Sequence, residues 1–293
     1  MTNITSSQTL NKLEEWVRQE SHSSNLLDFY RSLLRIQAEV EERITIAKPE
    51  LNEQTAFNRL VRGKPLLRFE DIITNWPTIT DTFNRITAVF TDYGDLFGKV
   101  SELLLEEKWQ KKLTKQIVRN WLEGKGLPAT IASMEINPYL LDSLIHQALR
   151  PFLIRHSRVL INLVDREVWR RGSCFICNGQ SDIGYLEKKV GARWLMCSRC
   201  DTEWHFQRLK CPYCGNQDSN SLSWFGDDDG VYRLYVCDRC HTYLKVVDLR
   251  NAKIEAFLPL ERILTLDMDR QGQEKGYHPG YVQIENINTT LPK

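Results

Sequence analysis

Apolar residues recur at steps of three and four along the first half of the chain, and in short alternating runs along the second. Leu26, Leu27, Tyr30, Leu33, Leu34 and Ile44 predict a long helix, with Ser23, Ser24 or Asn25 available to cap its first turn. Asp95, Leu96, Val100, Leu103, Leu104, Trp109, Leu113, Ile117, Trp121 and Leu122 predict another helix or a helix pair, stopped by the breaker cluster Gly124-Lys125-Gly126-Leu127-Pro128. From Pro138 the helical period returns through Leu140, Leu141, Leu144, Ile145 and Ala148. Pro151 is then expected to break or kink it before Leu160, Leu163 and Val164.

Beyond Arg170-Arg171-Gly172-Ser173 the pattern changes. Arg193–Met196, Tyr232–Val236 and Tyr243–Val247 read as short β-strands. Asp227-Asp228-Asp229-Gly230 reads as a hairpin tip, because Asp-Gly is a strong turn signal. One short helix is expected near Leu260–Gln271, and a loose end after Gly280. The expected fold class is α+β, an all-α N-terminal domain followed by two tandem metal modules of rubredoxin-like or zinc-ribbon type. The expected domains are residues 1–170 for the helices, 171–208 and 209–250 for the two modules, and 251–293 for the C-terminal helix and tail.

Composition narrows the function. The chain has 293 residues, 39 Lys plus Arg against 38 Asp plus Glu, and a formal charge of +1. This balance argues against nucleic acid as a default partner, since phosphate binding draws on a basic excess. Residues 171–250 alone carry 11 basic and 10 acidic side chains, again a net of +1. No run of 18 apolar residues is present, so no membrane span is expected. The first residues, Met1-Thr2-Asn3-Ile4-Thr5-Ser6-Ser7, lack a basic and apolar leader pattern, so the expected compartment is the cytoplasm.

Stable disulfides are unusual in that compartment, yet eight Cys fall between positions 174 and 240. They form four Cys-x-x-Cys pairs: Cys174/Cys177, Cys197/Cys200, Cys211/Cys214 and Cys237/Cys240. Nineteen residues separate the first two pairs and 22 the last two, close to the spacing of tetrathiolate metal sites. Each pair can wrap a tight turn that points both sulfurs at one ion. Such a turn wants positive φ just after its second Cys. The residues there are Asn178, Asp201, Gly215 and His241, all types that tolerate it. Thr202 and Thr242 each lie two places after a closing Cys. The preferred reading is a duplicated β-hairpin module, each copy holding its own metal. Cross-braced pairing of the Cys motifs stays open as the minority arrangement. The expected cofactors are two metal ions, iron of rubredoxin type or zinc, because four thiolates suit both. Closed sites of this kind favour structure or electron transfer over hydrolysis.

The link between the modules runs Cys197-Ser198-Arg199-Cys200-Asp201-Thr202-Glu203-Trp204-His205-Phe206-Gln207-Arg208-Leu209-Lys210-Cys211-Pro212-Tyr213-Cys214-Gly215, and the fourth knuckle gives Cys237-Asp238-Arg239-Cys240-His241-Thr242-Tyr243-Leu244-Lys245. These stretches resemble the formate dehydrogenase accessory protein family, FdhE. The resemblance is strong from about 174 to 248 and only architectural over the helical half. It implies a non-enzymatic cytoplasmic protein that contacts the catalytic subunit of a formate dehydrogenase during maturation, with iron at its Cys sites. The sequence departs from that family's pattern at His241, at Asn178 before Gly179, and between Asp267 and Gly276-Tyr277.

Glu203, Trp204, His205, Tyr243 and Lys245 are candidate partner contacts, weighed evenly against a plain strand with Trp204 in the core. Gly124-Lys125-Gly126 lacks the remainder of a phosphate loop. His146 and His156 have no ligand partner at helical spacing and read as helix-surface or core residues. Two other functions compete with the accessory role: rubredoxin-type electron transfer, and a tandem zinc ribbon that binds nucleic acid.

Overall fold

Among the described residues, seven α-helices lie in the first half of the chain: α1 Ser6–Glu20, α2 Asn25–Arg43, α3 Glu53–Val61, α4 Phe69–Ile73, α5 Trp76–Asp92, α6 Lys115–Glu123 and α7 Pro138–Leu160. The computed structural model describes residues 4–20, 24–46, 50–100, 113–125, 138–165, 169–227, 229–250, 252 and 256–281. Ser24 caps α2, its hydroxyl accepting from the Leu27 N–H at 3.3 Å. Gly124 ends α6 in the left-handed region, with φ at 69°. Helices α2, α5 and α7 pack on one another around Phe29, Leu33, Phe83, Ile86, Leu144 and Phe152. Leu103, Leu104, Trp109, Gly126, Leu127 and Pro128 lie outside the described residues.

At Pro151, where a break or a kink was expected, α7 is not broken and continues to Leu160. Proline has no N–H, so the carbonyl four residues earlier, on Gln147, loses its helical donor. The Gln37 side chain of α2 supplies a replacement, donating to that carbonyl at 3.1 Å and to the Gln147 side chain at 2.9 Å.

The second half is a sheet built from one three-stranded meander used twice. The first copy has β1 Ser181–Leu186, β2 Arg193–Cys197 and β3 Glu203–Phe206; the second has β4 Leu222–Gly226, β5 Tyr232–Cys237 and β6 Thr242–Asp248. Strand β1 pairs with β6 in parallel, Gly184 opposite Val246, so the order is β3-β2-β1-β6-β5-β4. The two copies thus lie side by side in one sheet. The short β7, His278–Pro279, also pairs with β6. Strand β3 alternates half-buried and buried side chains, with Trp204 and Phe206 inward.

Two helices, α8 Leu258–Leu264 and α9 Leu266–Glu274, replace the single one expected. The break falls at Thr265, whose hydroxyl donates to the Glu261 carbonyl at 2.7 Å. Leu260 and Ile263 of α8 pack against Leu13, Leu27 and Leu34 of the helical half, while Met268 of α9 packs against the sheet at Leu234, Val236 and Tyr243. The mixed α+β class read from the sequence is the observed one. Residues 282–293, where the tail was expected, lie outside the described residues.

Candidate metal centres

Each knuckle is a tight backbone loop. In the first, Cys174 N–H donates to the Gly179 carbonyl at 2.7 Å and Asn178 N–H donates back to the Cys174 carbonyl at 2.9 Å. The other three knuckles close with the same second bond, from Asp201 to Cys197, Gly215 to Cys211 and His241 to Cys237. The residues at the predicted positive-φ positions have φ of 61° at Asn178, 55° at Asp201, 73° at Gly215 and 52° at His241. A side chain on Gly179 would meet the Cys197 sulfur at 2.9 Å, so glycine is required there for close approach.

The loops gather the sulfurs into two groups of four, Cys174, Cys177, Cys197 and Cys200, then Cys211, Cys214, Cys237 and Cys240; within each group all four lie within 4.8 Å of one another. The grouping is sequential. In the first, Sγ···Sγ separations include 3.7 Å for Cys174–Cys200, 3.5 Å for Cys177–Cys197 and 3.4 Å for Cys177–Cys200. In the second, Cys211–Cys240 and Cys214–Cys237 are both 3.7 Å apart. Disulfide sulfurs lie about 2.05 Å apart, so these are thiols. Four sulfurs about 2.3 Å from a central ion stand about 3.8 Å apart. Each cluster therefore fits one tetrahedrally held thiophilic ion.

Donors surround the sulfurs. Ile176 and Arg199 N–H groups each reach a sulfur of the first cluster at 3.4 Å. Asn216 donates to Cys237 Sγ at 3.7 Å. The repeated threonines stand at equivalent places, Thr202 Oγ1 3.1 Å from Cys200 Sγ and Thr242 Oγ1 2.9 Å from Cys240 Sγ. Burial pushes the Cys174, Cys200, Cys211 and Cys240 thiols up. Burial also opposes ionisation of Cys197 and Cys237, but hydrogen bonds to their sulfurs outweigh it and hold both down. Four thiolates this close together demand a cation among them.

The clusters differ in their surroundings. The first is buried and belongs to the same apolar core as the helical half. Leu66 and Leu67 N–H groups donate to the Phe175 and Ile176 carbonyls at 2.9 Å, pairing backbone across the junction. From α7, Arg150 donates to the Ser198 carbonyl at 2.8 Å and to the Asp201 carboxylate at 2.6 Å. The His146 ring meets the same Ser198 carbonyl at 2.9 Å, and Ser157 donates to the Cys200 carbonyl at 3.2 Å. Arg199 stacks over Trp121 of α6, 3.7 Å from its ring centre. From α8, Arg262 bridges Asp182 and Asp201 and donates to the Cys197 carbonyl at 3.1 Å. In the second cluster, Cys214 is exposed and Cys240 half-buried.

The other sequence candidates take varied places. Trp204 is buried, its Nε1 donating to the Arg171 carbonyl at 3.0 Å. Tyr243 and Lys245 are also buried, and both donate to Asp269. Glu203 and His205 are half-buried on β3, Glu203 accepting from Tyr185 at 3.1 Å and His205 lying edge-on to Trp194. Arg150, Asp182 and Arg262, which dock the first cluster, went unread. Their partners are 48 to 80 positions away, and only the polar residues on the core face of α7 hint at them. His156 is buried on α7, and His146, half-buried on the same helix, meets the first knuckle. Among the described residues no helix is long and apolar enough to cross a membrane.

Known proteins place this arrangement. No protein-family profile matches the chain. It is 26% identical to a protein named FdhE homolog from Aquifex aeolicus, over 92% of this chain and 90% of that one. It is 32% identical to Protein FdhE of Escherichia coli over 37% of this chain and 35% of that one. The crystal structure of the FdhE protein from Pseudomonas aeruginosa superposes with a TM-score of 0.63, covering 97% of this chain and 96% of that one at 20% identity. With two four-cysteine clusters on this fold and a relative that spans nearly its whole length, the chain is similar in sequence and in fold to proteins named FdhE.

Proposed function

We propose that this chain is a non-enzymatic maturation factor that binds the catalytic subunit of a formate dehydrogenase in the cytoplasm. The observation that carries this reading is the pair of closed four-cysteine clusters on an FdhE-like fold. In it, all eight Cys are metal ligands, and each cluster holds one zinc or iron ion. A bound ion would supply charge balance for the four thiolates and fix the two turns of each module. The protein's own residues position the surface. Arg150, Asp201 and Arg262 hold the first knuckle against the helices, and β1–β6 pairing holds the second copy beside the first. Of the candidate contacts, Glu203 and His205 are half-buried whereas Trp204, Tyr243 and Lys245 are buried, so the first two are the better placed to meet a client.

The test is a pull-down from the native host with formate dehydrogenase expressed. The catalytic subunit should be retained by the wild-type chain and lost with Cys197→Ser plus Cys200→Ser. Unimpaired formate dehydrogenase activity with serine at all four positions of both clusters would defeat the reading. A second reading, single-electron transfer through rubredoxin-type iron, draws on one observation, the exposed Cys214 at the second cluster. It requires iron and a reversible visible spectrum. A colourless zinc-loaded protein from iron-replete cells would rule it out.

A further inference from the structure

A groove runs beside the second cluster, between the sheet face at β4–β6 and the link at Arg208–Tyr213. Its open volume is about 150 Å³. On its floor the cross-strand row Trp224, Tyr235 and Leu244 stands next to the row Leu222, Cys237 and Thr242. Trp224 and Leu209 line it and are 47% and 70% exposed. Three cations line it too, Arg193, Arg208 and Lys210, and no carboxylate does.

Arg193 is the unusual one. It is buried, and no ion pair among the described residues includes it. Its Nη2 donates only to the backbone carbonyls of Gln207 and Lys210, its guanidinium carbon lies over the Phe206 and Tyr235 rings at 5.3 and 5.9 Å from their centres, and its Nε has no acceptor. With carbonyls as its only hydrogen-bond partners, this buried guanidinium has its charge answered by the neighbouring thiolates Cys211 and Cys237 and by whatever anion enters the groove. The groove also borders β4, the last strand of the sheet, whose outer edge is unpaired among the described residues. A free edge offers backbone N–H and C=O groups to an added strand.

We propose that this groove seats an extended segment of the client protein in which an acidic residue stands beside bulky apolar ones. The carboxylate faces Arg208 and Lys210 and completes the field around Arg193. The apolar side chains lie on Trp224 and Leu209, and the segment's backbone runs along β4. A basic or purely polar segment lacks both matches. The proposal rests on the client reading above.

The test uses the metal-loaded full-length chain, immobilised, with formate dehydrogenase catalytic subunit in solution. Arg208→Glu and Trp224→Ser should each weaken retention about tenfold or more, with metal content unchanged. A ten-residue peptide alternating Asp and Leu should compete, and one alternating Lys and Leu should not. Full retention by both variants, with the wild type binding, overturns the groove and leaves the client reading standing. Loss of metal in Arg208→Glu, with Trp224→Ser binding normally, also overturns it, since the cations then serve the cluster. No retention by any chain, wild type included, defeats the client reading and the groove with it.

Discussion

The two four-cysteine clusters come from one repeated pattern, with the same turn geometry and the same threonine against the closing sulfur, yet they occupy opposite environments. The first shares its apolar core with three helices, and polar side chains from α7 and α8 converge on its backbone. The second meets solvent at Cys214 and borders an open groove. Duplication supplied two equivalent modules, and packing made them unequal. One now serves as the keystone between helices and sheet, while the other is placed where a partner can reach it.

The largest test of that inequality removes each cluster in turn. Cys197→Ser with Cys200→Ser should cost on the order of 10 kcal/mol of folding energy, because loss of the ion also opens the shared core. The helices should then melt at least about 10 °C lower, or fail to fold cooperatively. Cys214→Ser with Cys240→Ser should lower metal content to one ion per chain and leave the helical melt nearly in place. Elemental analysis with thermal melts followed by circular dichroism reads both. Equal effects from the two pairs would abolish the distinction.

A finer cut spares the cysteines. Arg262→Met removes the cation between Asp182 and Asp201, both well buried, and should destabilise by about 3–5 kcal/mol. Arg233→Met in the second module also removes a partner from a buried carboxylate, that of Asp248, but Arg250 still pairs with it. Its effect should be clearly smaller in urea titrations. An Arg233 variant as damaging as the Arg262 one would mean that α8 does not lock the first knuckle.

These docking contacts mark the limit of what local pattern reveals. The Cys turns were legible because residue types report backbone demands, and Asn178, Asp201, Gly215 and His241 all have the predicted positive φ. Strands β2, β5 and β6 were legible from their apolar runs. Strand β1 was not, since its Ser181, Asp182 and Gly184 disguise it, and its parallel pairing with β6 joins residues about 62 positions apart, which no short-range pattern encodes. Whether Pro151 would break α7 was not decided by the local sequence for the same reason, because the Gln37 donor that meets the freed Gln147 carbonyl comes from another helix.

Acid should loosen the keystone side of the molecule. His156 on α7 is buried, its Nε2 has no partner, and burial pushes its pKa down to about 4 although Asp71 pulls the other way. A base whose folded pKa lies below its unfolded value of about 6.5 takes up protons more readily unfolded. Stability is therefore full above about pH 6.5 and falls as the pH drops toward 4, with about 2 kcal/mol lost by pH 5. Urea titrations of wild type and His156→Leu at pH 8 and pH 5 isolate this contribution. The same slope in both proteins would assign the acid sensitivity elsewhere.

The smallest effects test equivalent positions directly. Asp201 and His241 both follow a closing cysteine and both hold positive φ, a conformation that costs a non-glycine residue roughly 1 kcal/mol. Were the two modules alike, glycine would help at both. At position 241 the side chain is exposed, so His241→Gly should relieve the strain and stabilise by up to about 1 kcal/mol. At position 201 the carboxylate receives both Arg150 and Arg262 at the junction, which hold it below the usual carboxylate range despite its burial. Asp201→Gly should therefore destabilise, by more than the relieved strain returns. Opposite signs in two melting curves would establish that one repeated turn carries the interior of the protein and the other only itself; a gain at both would show that the ion network around Asp201 adds nothing to stability.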